Sequence, residues 1–280
     1  MRGIRSYLNN LLAGVALAAL AATGSAQARP NDLADLQQRG QISFAFYNTF
    51  APFSNKGKGA DVEIAEALAA RLGLKMSALW FDADENMEDD LRNMVWKGHY
   101  LGYGPADVMI HVPIDHNYMA KLDKVSFFAP YHRERYAIAR NLDRVPTLDS
   151  LAPLENQPIG VEGDSLPATV MLGADGGKYR NTLKLYKTAE ESIAALKTGE
   201  VVAVLAQQGE LEGGLDHDKR FAIEPPPIAS LHYRQWPVGL AVKTENEALA
   251  KALQKAMNEL MEDGTIDRIM AHSGITHRRP

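Results

Sequence analysis

Apolar and polar positions change their period along this chain in an order that occurs twice. ISFAFY (Ile42 to Tyr47) reads as a strand. After it, Val62, Ala65, Leu68 and Leu72 fall near helical spacing, and Asp61 is expected to cap the helix they define. KMSALWF (Lys75 to Phe81) reads as a second strand, DLRNMVWKG as a second helix and ADVMIHV (Ala106 to Val112) as a third strand. The order then returns: PIGVE (Pro158 to Glu162) as a strand, SLPATVMLG as a helix start, and LKLYK (Leu183 to Lys187) as a strand. Thr188 and Glu191 form a capping box for TAEESIAALKTG, Gly199 stops that helix, and VVAVLA (Val201 to Ala206) closes the unit.

Strand, helix, strand, helix, strand, twice over, predicts an α/β protein with two open, mainly parallel sheets flanked by helices. HRERYAIAR lies between the units and YRQWPVGLAVK follows the second; both have the alternation of extended crossings. The last long helix, in ENEALAKALQKAMNELMEDG, carries Leu249, Leu253, Met257 and Leu260 on one stripe and is expected to return to the first unit. The chain therefore divides into a first lobe of residues 36–136 plus 238–280 and a second of residues 137–237, joined by a double hinge. In open α/β sheets a ligand sits beyond the carboxyl ends of the strands, which puts it in the cleft between the lobes.

The amino terminus changes the picture of where such a clamp works. Arg2 and Arg5 precede an apolar run from Leu11 to Ala22, and Ala26-Gln27-Ala28 supplies a small-x-small cleavage signature, so residues 1–28 are expected to be a signal peptide. No later stretch has the length of apolar residues that a membrane span needs. Cleavage leaves 28 basic against 35 acidic residues, taking the formal charge from −5 to −7. A mildly acidic chain argues against nucleic acid or an anionic membrane as partner. The chain has no cysteine, so its core must hold it without disulfides.

Five blocks in series carry a resemblance. FAPFS (Phe50 to Ser54) with GADVEIAEALAARLG, then FFAPY (Phe127 to Tyr131), IGVEGDS (Ile159 to Ser165), ALKTGEVVAVL and EDGTIDRIMAHSG stand in the order seen in one family. The chain resembles the periplasmic solute-binding proteins of ABC transporters, in the branch that binds polar amino acids. The resemblance implies the two-lobed type II periplasmic-binding-protein fold, a periplasmic monomer, a small-molecule solute and an ABC permease as partner, with no catalysis, cofactor or metal.

That family's ligand chemistry transfers only in part. The arginine that clamps a ligand carboxylate falls on Met119 or Lys121, and lysine offers only a point charge. The acidic partner for a ligand ammonium falls on Gln207, which brings no charge. The Gly-Ser/Thr anion site falls on Gly163-Asp164-Ser165, where Asp164 is expected to cap the helix and repel a carboxylate. The resemblance thus implies a solute that is not an ordinary free amino acid, contacted by Tyr47, Phe50, His111, Lys121, Asp164, Ser165 and Gln207. Phe53 is expected to plug the core.

WKGHYLGYGPADVMIHVPIDHNYM (Trp96 to Met119) divides into two surfaces. His111 ends the third strand and offers a hydrogen bond to a ligand, while Asp115 caps a helix starting near His116; a metal held by these residues is disfavoured because nothing fixes the two imidazoles together. HYLGYGPA is longer than the family's link at this point and is expected at the amino end of the strand, remote from the cleft. There Tyr100 and Tyr103 form either a partner surface or a tyrosine-packed loop. Three functions remain open. The first is solute capture, and the second is an accessory role beside a periplasmic quinoprotein dehydrogenase, as in the methanol-dehydrogenase-associated proteins that resemble this family with an altered cleft. The third is a dehydratase-like enzyme using Glu162, Asp164 or His111.

Overall fold

A computed structural model of the protein describes residues 33–84, 86–229, 231 and 235–280; the expected signal peptide lies outside the described residues. The chain enters through helix α1 (Leu33–Arg39) into strand β1 (Gln41–Tyr47), a small hairpin of β2 (Thr49–Phe50) and β3 (Ser54–Asn55), helix α2 (Ala60–Arg71) and β4 (Lys75–Phe81). Helix α3 (Met87–Leu91) runs on as a π-helical turn over Arg92–Trp96 before β5 (Val108–Pro113). β1 pairs in parallel with β4 on one side and β5 on the other. Covered on both faces, it buries Ile42, Phe44, Ala45 and Phe46, which is why its sequence is a run and not an alternation.

Helix α4 (His116–Met119) leads into β6 (Val125–Asn141), which leaves this unit. The second unit is built from β7 (Ile159–Glu162), α5 (Leu166–Gly173), β8 (Leu183–Tyr186), α6 (Ala189–Thr198), β9 (Ala203–Gln207), α7 (Gln208–Leu215) and β10 (Phe221–Glu224). β7 is parallel to both β8 and β9. β11 (Gln235–Lys243) returns, and α8 (Glu247–Glu262) and α9 (Thr265–His272) cover the first sheet. Strands run in the order β4-β1-β5-β11-β6-β9-β7-β8, with β10 also on β6. β6 pairs with β11 up to Arg135 and with β9 from Tyr136 onward, so these two long strands are the crossings between the lobes.

The helices follow from their patterns with two differences. Leu249, Leu253, Met257 and Leu260 of α8 are buried as one stripe; each such side chain contributes about 1.5–3 kcal/mol by leaving water, and Leu253→Ala would cost about 2–5 kcal/mol. Thr188 accepts from the Glu191 amide at 3.1 Å and Gly199 ends α6 in the left-handed region, as expected, but the capping box is half made, because the Glu191 carboxylate accepts from the Lys187 amide at 3.0 Å and not from Thr188. Asp61, by contrast, does not cap α2. Gly59 holds the cap at φ 126°, where a Cβ would lie 2.2 Å from the Phe53 carbonyl oxygen, and Asp61 sits fully buried in the first turn. Asp164 does not cap α5 either: its φ is 51°, and Ser165 behind it is extended and accepts from the Ala168 amide at 3.2 Å.

Gly239 on β11 faces irregularities in both neighbours. On one side Val112 pairs with Gly239 and Ile110 with Leu240, leaving His111 as a bulged residue at φ 62°. On the other, Val238 pairs with His132 but Leu240 with Phe128. A Cβ on Gly239 would lie 2.5 Å from Ile114 and 2.6 Å from the Phe128 carbonyl oxygen, so only glycine lets the three strands approach. A bulge re-aims a side chain out of the strand's alternation, and here that side chain is His111.

Candidate functional site

A cavity of about 510 Å³ opens where the crossings meet the two lobes. The first lobe supplies Tyr47 at the end of β1, Phe50 of the hairpin, Met87 of α3, His111 of the bulge, and Ile114 and Asp115 beyond β5. The second supplies Glu162 at the end of β7, Leu166 and Gln207, and the crossings supply Tyr136 and Trp236. All these strand positions are carboxyl ends or crossings, the side of an open sheet on which ligands bind. Two aromatic pairs stand in the walls: Tyr47 meets Phe50 edge-on at 6.0 Å, and Tyr136 lies 4.8 Å from Trp236. Among the described lining residues the charged side chains are both carboxylates, Glu162 and Asp115.

His111 is held from behind. Its Nδ1 lies 3.0 Å from an Asp61 carboxylate oxygen, and the Tyr131 hydroxyl donates to the other oxygen at 2.6 Å. Phe53 packs on the imidazole at 4.3 Å and Phe50 at 4.8 Å. A carboxylate only accepts, so Nδ1 carries the proton, and in the neutral ring Nε2 is left as an acceptor. That Nε2 is buried and has no hydrogen-bond partner, although His111 lines the cavity. An unsatisfied buried polar atom costs about 1–3 kcal/mol, and a non-glycine residue at positive φ adds to the strain at this point.

The second-lobe wall is acidic. Burial raises the Glu162 carboxyl above its usual range. Glu210 behind it is pushed well up, chiefly by burial and then by the Glu162 charge, while one of its oxygens accepts from the Gln207 amide at 3.2 Å. Glu162, Glu210, Gln207, Tyr136 and Ser165 share a smaller cavity of about 50 Å³ beside the main one. Burial together with these carboxylates pushes the Tyr136 hydroxyl up to about 12. The amino end of α7 is already taken, because the Gly209 amide donates to the fully buried Glu134 carboxylate at 3.3 Å.

A strap runs behind the hinge. The Arg278 carbonyl accepts from the Arg133 amide on β6 at 2.7 Å, its guanidinium donates to both Glu212 oxygens on α7 at 3.0 and 3.2 Å, and it stands 3.7 Å from Glu134. His132 between them is held neutral, its value lowered to about 2 chiefly by burial and then by the Arg278 guanidinium beside it. Phe53 and Pro52 press on Gly209 and Gly213 of α7, where a Cβ would clash at 2.4 and 2.5 Å.

Tyr47, Phe50, His111 and Gln207 are thus brought together, whereas the other sequence-selected residues are not. Lys121 is exposed beyond α4 and Asp164 is exposed on its turn; neither lines the cavity, and Ser165 reaches only the small neighbouring one. Asp115 caps α4 through the Tyr118 amide at 2.8 Å, and His116 is exposed, apart from His111. Among the described residues no three metal-ligating side chains form a cluster. Tyr47 also donates to the buried Asp90 at 2.8 Å. Tyr136, Trp236, Asp61 and Tyr131 were missed; Tyr136 and Trp236 stand within the crossings, and a hinge strand that borders a cleft is the signal that would have found them.

The tyrosine loop is also relocated. It folds back from the amino end of β5, so that His99, Tyr100 and Tyr103 line a cavity of about 250 Å³ with Asp82, Ala83 and Asp84, just past the carboxyl end of β4; Ala83 lines the main cavity too. The His99 ring lies 4.3 Å from each of Tyr100 and Tyr103, which fixes the turn and leaves Tyr100 and Leu101 at 88% and 69% exposed.

The sequence matches no protein-family model and no curated protein. Its fold does match solved structures. An ancestral cationic amino acid solute-binding protein superimposes with a TM-score of 0.68 at 17% identity, over 86% of this chain and 99% of that one. An amino acid ABC transporter substrate-binding protein from Streptococcus pneumoniae bound to L-arginine gives 0.62 at 20% identity, over 86% and 97%. An ABC uptake transporter substrate-binding protein from the same organism with bound histidine gives 0.63 at 14% identity, over 89% and 99%. The chain has the two-lobed α/β fold of these proteins.

Proposed function

We propose that this chain is a periplasmic solute-binding protein whose lobes close on a small solute other than an ordinary free amino acid and deliver it to an ABC permease. The observation that carries the reading is a cavity of about 510 Å³ between the lobes, lined by His111, whose Nε2 is buried and unpartnered. A cavity of this size with few convergent polar groups is of the kind that takes a small molecule. The neighbours in fold, which hold arginine or histidine, support a binding role. The lining supports a different solute, since its described charged groups are carboxylates and Lys121 stands outside it. Tyr47, Phe50, His111 and Gln207 are the ligand-contacting residues of this reading, with Glu162, Tyr136 and Trp236 added.

One observation favours a second reading, an accessory role beside a periplasmic quinoprotein dehydrogenase: Tyr100 and Leu101 stand out from a ring-stacked turn. Thermal-shift screening of amines, alcohols, sugar acids and amino acids tests the first reading, because a ligand that binds only the folded state raises the melting temperature. A dehydrogenase that binds the purified chain, and is lost in Tyr100→Ala/Leu101→Ala while no solute shifts the melt, would favour the second.

A further inference from the structure

Resting on the solute-binding reading, we propose that the solute is a protonated primary or secondary amine that carries no carboxylate. Three features of the cleft converge on this class. Glu162 faces the cavity from the second lobe as a carboxylate acceptor, and among the described residues no side-chain hydrogen bond or ion pair accounts for it. The second feature is the Nε2 of His111, a cavity-lining residue of the first lobe, which is buried without a partner and is an acceptor in the neutral ring whose Nδ1 proton faces Asp61. A primary or secondary ammonium has at least two N–H groups, one for each acceptor, and brings the charge that a desolvated carboxylate lacks. The third is the aromatic wall of Phe50, Tyr136 and Trp236, which packs on the apolar body of the amine and attracts its cation through the ring faces.

A ligand carboxylate fares badly in the same space. It would meet Glu162 and Asp115, and the described lining offers it no guanidinium or ammonium. One amide at each of the nearby helix starts is already engaged, the Gly209 amide by Glu134 and the Ala168 amide by Ser165. The cleft therefore discriminates an amine from the amino acid of the same side chain. A quaternary ammonium suits the rings and Glu162, yet has no N–H for His111.

Titration calorimetry on the mature chain decides this with matched sets. Each aliphatic or aromatic amine is set beside its α-carboxylated parent, its deaminated acid and its N-trimethylated form; tyramine, tyrosine and 3-(4-hydroxyphenyl)propionate illustrate three members. The expected result is an amine that binds at least tenfold more tightly than the other members of its set, with at least a tenfold loss in Glu162→Gln at unchanged far-UV circular dichroism. Equal or tighter binding of a parent amino acid or a carboxylic acid would overturn the amine and leave solute capture standing. Equal binding of the trimethylated form would overturn the N–H contact to His111. Binding of no solute of any class would overturn both this inference and the reading beneath it.

Discussion

Asp61 on α2 and His111 on β5 meet at 3.0 Å beneath the cleft, with the Tyr131 hydroxyl closing the third side at 2.6 Å from Asp61 and 3.1 Å from His111. One carboxylate thereby sets the tautomer of the imidazole and satisfies a wholly buried phenol. Asp61→Asn keeps the shape but weakens the acceptor, and is expected to cost about 1–3 kcal/mol in urea unfolding and to lower solute affinity. An unchanged denaturation midpoint would remove this pair from the account.

Arg278 is the only partner of opposite charge that the described residues place within 4.0 Å of Glu134, apart from a neutral histidine. Removing one member of a buried ion pair leaves the other uncompensated, so Arg278→Ala should destabilise by about 3 kcal/mol. Glu134→Gln in the same chain should recover part of that loss, and a double-mutant cycle by thermal unfolding measures the coupling. Additive effects of the two changes would mean that the strap does not act through Glu134.

Glu210 gives the second-lobe wall a pH dependence with a definite sign. Its folded value is raised above the ordinary 4.5, first by burial and then by Glu162 and Glu134. The folded state therefore holds the proton more tightly than the unfolded chain, and the stability this lends is full below the ordinary range and lost as pH rises through the raised value. Glu162, Glu134 and Tyr136 face the same region, so the effect is read as a difference. Melting temperatures taken from pH 4.5 upward should fall for the wild type relative to Glu210→Gln. Parallel curves for the two chains would refute the assignment.

The succession of strands in each lobe and the stripe of α8 were legible because a strand covered on both faces is apolar along most of its length and a docked helix must be apolar on one side. Tyr47 could be placed on the cavity because it ends a strand at the carboxyl edge, and Phe50 and Gln207 through the family resemblance of their blocks. The Asp61 cap was misread because a first-turn aspartate looks alike in sequence whether it caps a helix or reaches into the core. Here Gly59 holds the cap position while the Pro52 and Phe53 carbonyls accept from the Ala60 and Asp61 amides, which frees the Asp61 side chain for His111. Lys121 and Asp164 were misplaced because backbone direction in a turn is not written in spacing; a left-handed Asp164 points away from the cleft. Likewise, nothing in HYLGYGPA announces that His99 will stack on two tyrosines and turn the loop back toward Asp82.

Closure of the two lobes on a solute is tested most directly by a distance across the cleft. The native chain has no cysteine, so spin labels at Lys121→Cys on the first lobe and Asp164→Cys on the second report one distance by double electron–electron resonance, and both sites are exposed and outside the cavity lining. With the best-binding solute from the calorimetric sets, the distribution is expected to narrow and shorten, and the change is expected to vanish in Glu162→Gln. A distribution that stays the same with every solute that binds, or with none binding at all, would contradict a clamp that works by closing.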